Sequence, residues 1–208
     1  MPPSPSTVDL PVDAGPTLLT LARAVIQARL DAIRVPEPDP GARAGASQPV
    51  SRAWRRGSWL DQPGACFVTL TLDGRLRGCI GTIVPRRALG IDVQQNALAA
   101  AFRDRRFPPL QPAEGSRLRI GVSVLSRLEP ISGRSQREVG EELRPGVDGV
   151  LLEFGSHRST FLPQVWAKIP EPSHFLVELK RKAGLDQAFW HEDIILSRYS
   201  VTEFHEQP

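Results

Sequence analysis

Cysteine is scarce in this 208-residue chain: only Cys66 and Cys79 are present. Two thiols supply neither a disulfide framework nor a zinc ligand set, so both are expected to be free in a reducing compartment. Lysine is nearly as rare, with 3 Lys against 23 Arg. Arginine suits bidentate pairing with carboxylate or phosphate, but GC-rich coding gives the same bias, so composition alone names no ligand. No apolar run approaches the ~20 residues of a membrane span. The opening Met-Pro-Pro-Ser-Pro-Ser has neither the basic nor the apolar segment of a secretory signal. These absences predict a cytoplasmic protein with no membrane partner. His157, His174, His191 and His205 form no H-x-x-x-H pattern and the cysteines no C-x-x-C, so no metal or cofactor is expected. A G-x-x-x-x-G-K-[ST] phosphate loop and a G-x-S-x-G nucleophile elbow are missing too.

What is present is the balance of a globular chain: 40% hydrophobic and 24% charged residues, with a mild net charge of +3. Arg52, Arg55 and Arg56 interleave with Trp54 and Trp59 as on nucleic-acid surfaces, but tryptophans at that spacing read first as core anchors. Nucleic acid is therefore not an expected partner.

Nine of the 20 prolines lie in the first 50 residues. They mark a loose tail over residues 1–15 and a surface loop near 36–50 within a domain spanning 16–208. Between them, Leu18, Leu21, Ala22, Val25 and Ala32 recur at helical spacing, predicting a helix over Thr17 to Arg34 with Pro16 at its first turn. Asp73-Gly74 is the dipeptide of a type I′ turn, so Ala65 to Gly81 reads as a hairpin. A helix follows over Leu89 to Asp104, stopped by Pro108-Pro109, then a strand over Arg117 to Leu128 with Leu118, Ile120, Val122 and Val124 on one side. Ser135 to Leu143 predicts a short helix, and Val150 to Phe154 with Ser159 to Leu162 a second hairpin around Gly155. A helix over Ser173 to Ala183 ends at Gly184, and one strand over Ile194 to Phe204 closes the chain. The mixture lacks a βαβ rhythm and predicts an α+β fold with a mainly antiparallel sheet and flanking helices.

The residues that could carry chemistry cluster in two places. Under an uninterrupted two-residue hairpin, Leu70 faces Arg77 and Val68 faces Cys79, so Arg77 and Cys79 point the same way. A guanidinium on a half-buried face wants an anion, and a thiol beside it ionises more readily than a free cysteine. Gly78 and Gly81 remove side chains where backbone could approach a ligand. The bland alternative is a cysteine packed as a small core residue, an arginine paired with an internal carboxylate, and glycines that mark a bulge. Cys66 lies diagonally from Cys79 on the same face, so a disulfide would need a favourable twist. The second cluster, Asn96 to Leu110, puts Asn96, Ala99 and Arg103 on one helical face. Asp104, Arg105, Arg106 and Phe107 lead into the proline stop. Either these are local caps and solvated charges, or Asn96 and the arginines share a cleft with Arg77.

L-R-G-C-I-G at Leu76 to Gly81 resembles the signature hexapeptide of the AMMECR domain family. N-A-x-x-A-A-x-R-D-x-R-F-P-P at Asn96 to Pro109, T-F-L-P-Q-V-W at Thr160 to Trp166 and K-A-G-L at Lys182 to Leu185 are similar in order and spacing. The resemblance covers about Thr17 to Phe204 and is nearest to the AmmeMemoRadiSam system protein A type. It implies a two-lobed α+β fold with the hexapeptide near the cleft between the lobes, and it brings no established reaction with it. It further implies Memo-like and radical-SAM proteins as partners. On this reading Arg77, Gly78, Gly81, Asn96, Arg103, Asp104, Arg106 and Phe107 line a surface for a small anionic ligand, with Cys79 as reactive thiol. The alternative is a non-catalytic docking module. No histidine belongs to the matched motifs, which counts against a Cys-His dyad.

Overall fold

The computed structural model describes residues 9–34, 54 and 57–207. The expected loop near 36–50, most of the expected N-terminal tail, and Arg52, Arg55 and Arg56 lie outside the described residues. In chain order the elements are α1 (Ala14–Arg34), β1 (Pro63–Gly64), β2 (Cys66–Leu72), β3 (Arg75–Gly81), β4 (Arg87–Ala88), α2 (Leu89–Phe102) and β5 (Leu118–Leu125). They continue as β6 (Glu129–Pro130), α3 (Gln136–Glu142), β7 (Gly149–Phe154), β8 (His157–Phe161), α4 (Pro172–Lys182), β9 (Ile195–Tyr199) and β10 (Val201–His205). Short 3-10 turns cover Trp59–Asp61, Pro112–Glu114 and Pro163–Ala167. The fold is α+β with antiparallel sheets. It divides into two compact units, one running to Leu125 and resuming at Thr202, the other Ser126–Val201.

In the first unit a four-stranded sheet has the order β10-β5-β2-β3. Alternation decides its two faces, since successive side chains on a strand point opposite ways. Cys66, Val68 and Leu70 of β2 are buried with Leu118, Ile120, Val122 and Val124 of β5, and α1 and α2 pack on them. From α1 come Leu18, Leu21 and Ala22 of the stripe read from spacing, together with Ile26 and Leu30, while Val25 is half-buried and Ala32 exposed; from α2 come Leu89, Val93, Ala97, Ala100 and Ala101. Each fully buried Leu, Ile or Val among them contributes about 1.5–3 kcal/mol. Trp54 and Trp59 pack against this core, as the core-anchor reading held. The other face carries Phe67, Thr69 and Thr71 of β2, all half-buried.

The Asp73-Gly74 turn has φ of 49° and 75°, the doubly positive geometry of type I′. One feature of the predicted hairpin is wrong. Leu72 pairs with Arg75 and Thr71 with Leu76, but the register then shifts, so that Leu70 pairs with Gly78, Thr69 with Cys79 and Val68 with Ile80. Arg77 is the extra residue of a β-bulge. The physical reason lies in α2: a Cβ on Gly78 would sit 2.2 Å from the Ala100 carbonyl oxygen, so the position under the helix must be glycine. The bulge hands that position to Gly78, and a one-residue slip exchanges the faces of everything after it.

In the second unit the sheet order is β6-β9-β7-β8. Its core gathers Val150 and Leu152 of β7, Leu196 of β9, and Phe175, Leu176 and Leu179 of α4, with Trp166 stacked on Phe175 at 3.8 Å. Helix α4 ends as read from the sequence: Gly184 has φ of 77°, and the Leu185 N–H reaches the Lys180 carbonyl while the Gly184 N–H reaches Arg181. Lys180 is buried, its ammonium donating to Gln136 Oε1 at 2.7 Å and to the carbonyl oxygens of Gln187 and Phe189. The single strand expected over Ile194 to Phe204 is instead two, β9 in the second sheet and β10 in the first, divided at Ser200. Among the described residues no helix is long and apolar enough to cross a membrane.

Gly78→Ala should lower stability in urea unfolding by about 3 kcal/mol or more, because neither the helix backbone nor the strand can yield at that contact. A loss under about 1 kcal/mol would mean that α2 does not fix the bulge.

Candidate functional site

The bulge sets where the hexapeptide points. Cys79 opposes Thr69, not Val68, and so belongs to the sheet face turned away from α1 and α2. Its Sγ lies 3.3 Å from Thr69 Oγ1, and the side chain is half-buried. Cys66 is fully buried on the helix-side face, so the two thiols occupy opposite faces and both are free. This corrects the expectation that they share a face.

Strand β3 is the edge of its sheet, and an edge strand leaves backbone groups unpaired on its outer side. At Cys79 that gap is closed by two side chains from the segment after α2. The Cys79 N–H donates to Asp104 Oδ2 at 2.9 Å, and the Cys79 carbonyl accepts from Arg106 Nη2 at 3.0 Å. Asp104 in turn accepts from Arg106 Nε at 2.9 Å, from its Nη2 at 2.7 Å, and from its backbone N–H at 3.1 Å. The Asp104–Arg106 pair thus stands in for the missing strand. With both backbone groups of Cys79 directed outward, Cys79 and Thr69 form a non-hydrogen-bonded pair, the geometry that brings cross-strand side chains closest. The Arg106 hydrogen bonds hold the Asp104 carboxyl well below the usual carboxylate range, with the two backbone N–H donors adding to them against the effect of burial. Arg106 also lies over the Phe107 ring, 5.6 Å from its centre.

Arg77 and Cys79 do not act as a pair. Arg77 forms a bidentate ion pair with Glu114, Nε to Oε1 at 2.7 Å and Nη2 to Oε2 at 3.0 Å, with only 10% of its side chain exposed. Its fork is largely committed, leaving Nη1 buried with no acceptor among the described residues. The pairing lowers the Glu114 carboxyl from its ordinary value, Arg77 being the main cause. Gly78 and Gly81 also have packing reasons. Gly78 lies under α2, and a Cβ on Gly81 would meet the Phe67 ring at 2.3 Å. Arg103 caps the end of α2 and is exposed, and Asn96 is buried on the helix side.

Asn96 belongs to a network that sequence reasoning missed. Asp92, 1% exposed, accepts from the Cys66 N–H at 3.0 Å, the Cys66 thiol at 3.3 Å, Thr82 Oγ1 at 2.5 Å, Asn96 Nδ2 at 2.9 Å and Arg87 Nε at 2.7 Å. Asn96 also donates to the Cys66 carbonyl at 3.0 Å. Burial, reinforced by Asp92, pushes the Cys66 thiol well above its ordinary value, which makes it an inert member of this cluster. The i, i+4 spacing of Asp92 and Asn96 on a helix was the available signal. The structure therefore brings Cys79, Asp104, Arg106 and Phe107 together, and keeps Asn96 and Arg103 apart from them. Among the described residues, no group of three or more His, Cys, Asp or Glu side chains is arranged to hold a metal ion.

Residues 19–204 match the AMMECR1 family model. A protein of Thermofilum pendens is 33% identical over 95% of this chain and 92% of its own length. One from Methanothermobacter thermautotrophicus is 35% identical over 93% and 95%. The crystal structure of the uncharacterized protein PH0010 from Pyrococcus horikoshii superposes with a TM-score of 0.73 at 30% identity, covering 93% of this chain and 91% of that one.

Because the folded-state value for Asp104 is depressed, its ionised form stabilises the native state above the unfolded value near 4, and this contribution fades as pH falls below that. Asp104→Asn should be less stable than the parent at pH 7 by about 2 kcal/mol. In acid titration of urea unfolding the gap should start to narrow below about pH 4 and still be narrowing at about pH 2, because the folded-state value lies lower still. A gap that stays constant through that range would show that the carboxylate charge does not hold the edge of β3.

Proposed function

We propose a function from one premise, that this chain belongs to the AMMECR1 family: it acts through the face of the first sheet that carries Cys79, whose thiol captures a small anionic or carbonyl-bearing ligand. The observation that supports this is the position of Cys79, held through both its backbone groups by Asp104 and Arg106 with its sulfur beside the Thr69 hydroxyl. A side chain that only filled space would not need its backbone fixed on an edge strand by a charged pair. Rigid first contacts of this kind are what a reactive group requires, since small misplacements cost rate. Addition of the thiol to a carbonyl breaks the S–H bond and the π bond of the C=O group, and forms an S–C bond and an O–H bond on the former carbonyl oxygen. The step is redox-neutral and needs no further reactant. Arg106, donating to the Cys79 carbonyl, fixes the backbone that carries the sulfur. Thr69 can donate to it.

A second reading is a docking role toward Memo-like or radical-SAM proteins, as in AmmeMemoRadiSam systems. One observation favours it: Arg103 and Arg105 are exposed on either side of Asp104, and neither has an ion-pair partner among the described residues. Such unpaired cations suit an acidic protein surface.

Alkylation with iodoacetamide near neutral pH separates the two. Peptide mapping should find Cys79 modified in the folded protein and Cys66 modified only after unfolding, and Arg106→Ala should slow the Cys79 reaction several-fold. If Cys79 resists the reagent until the protein unfolds, the thiol reading fails and the docking reading stands.

A further inference from the structure

The face that bears Cys79 continues across the sheet into a groove of about 520 Å³, lined by Thr69, Thr71, Arg119, Gly121, His205 and Glu206 together with the β2–β3 turn. This volume is within the range of small-molecule sites. The sheet register explains the lining. Thr69 of β2 pairs with Cys79 on one side and with Gly121 of β5 on the other, and Thr71 pairs with Arg119. At Gly121 a Cβ would sit 2.8 Å from His205 Nδ1, so the glycine makes room for an imidazole lying over β5. One row across the sheet therefore reads thiol, hydroxyl, imidazole, and the next ends at a guanidinium.

The charges of this groove do not cancel. Arg117 is paired with Asp73. Glu206 is engaged by Arg23 through both carboxylate oxygens and also accepts from the Ile120 N–H at 2.9 Å. His205 lies beside Glu203, 3.5 Å from its carboxylate. Arg119 is different. It is half-buried, has no ion-pair partner among the described residues, and there uses only Nη1, toward the backbone carbonyls of Ser116 at 3.4 Å and Leu118 at 3.2 Å. Its Nε and Nη2 remain as donors in the fork geometry that matches an oxyanion.

We propose that this groove binds the oxyanion group of a small molecule, a carboxylate or a phosphate, through the Arg119 guanidinium with Thr71 and His205 alongside. The inference rests on the Cys79-bearing face being the working surface, and it gives that face an anchor in place of Arg77, which Glu114 occupies. The anion end lies over β5 and the rest of the molecule extends over Thr69 toward Cys79. The direction follows from the register, since Thr69 is the only β2 residue between Gly121 and Cys79 in that row.

The full chain, labelled with 15N, is titrated with inorganic phosphate and separately with acetate, at ionic strength matched with sodium chloride. Saturable shifts at Thr69, Thr71, Arg119, Gly121 and His205 with either anion support the proposal. The stronger of the two responses assigns the ligand as a phosphate or a carboxylate. Arg119→Gln should weaken that binding at least tenfold, and Arg119→Lys should recover part of it. No saturable response with either anion, or a response unchanged in Arg119→Gln, overturns the proposal. Cys79 alkylation measured in the parent protein under the same conditions keeps the two readings apart. A thiol that still reacts while the anion does not bind removes only the anchor, whereas an unreactive thiol removes the working surface itself.

Discussion

The contact on which the rest depends is the close approach of α2 to strand β3, where the Ala100 carbonyl lies over Gly78 with no room for a side chain. An alanine-rich helix can lie this near a sheet only if the strand offers bare backbone beneath it. In an uninterrupted hairpin from the Asp73-Gly74 turn that place would fall to Arg77. The strand instead takes one extra residue, puts glycine under the helix, and sends the arginine to Glu114. Every residue after the bulge changes face. Cys79, which an uninterrupted register would turn into the core against Val68, is delivered to the opposite face beside Thr69.

That delivery would be of little use on a fraying edge. The segment R-D-x-R-F that follows α2 returns along the outside of β3, and its aspartate and second arginine bind the two outward backbone groups of Cys79. Helix and clamp are consecutive in sequence: α2 stops at Phe102, Arg103 caps it, and Asp104 and Arg106 are in place before Pro108 ends the run. Two stretches that resemble one family's motifs are thus a single structural device, one part supplying the bulged strand and the other fixing it. Arg77, Asp104 and Arg106 are held mainly by partners within the protein, which moves the search for a ligand anchor to Arg119.

The elements themselves were largely legible. Asp73-Gly74 demands positive φ and so announces the hairpin; the spacing of Leu18, Leu21, Ala22 and Val25 announces α1; Gly184 announces the end of α4. What sequence could not supply was register, because the bulge is imposed by a helix 22 residues further on, as the separation of Gly78 and Ala100 shows. The Arg77–Glu114 pair and the Asp92 network likewise join residues that only folding brings together. The chain at Ser200 leaves one sheet for the other without any break in its alternating letters, so a single strand was the natural reading. His205 escaped notice because its place over Gly121 is visible only once β10 and β5 lie together in one sheet.

The shifted register is tested most directly by cross-strand disulfide trapping. Non-hydrogen-bonded antiparallel pairs bring Cβ atoms within the range a disulfide spans. With Cys79 as the fixed partner, Thr69→Cys should form a bridge to it under mild oxidation while Val68→Cys should not. A bridge from Val68→Cys and none from Thr69→Cys would restore the unbulged hairpin, return Cys79 to the core, and contradict the account.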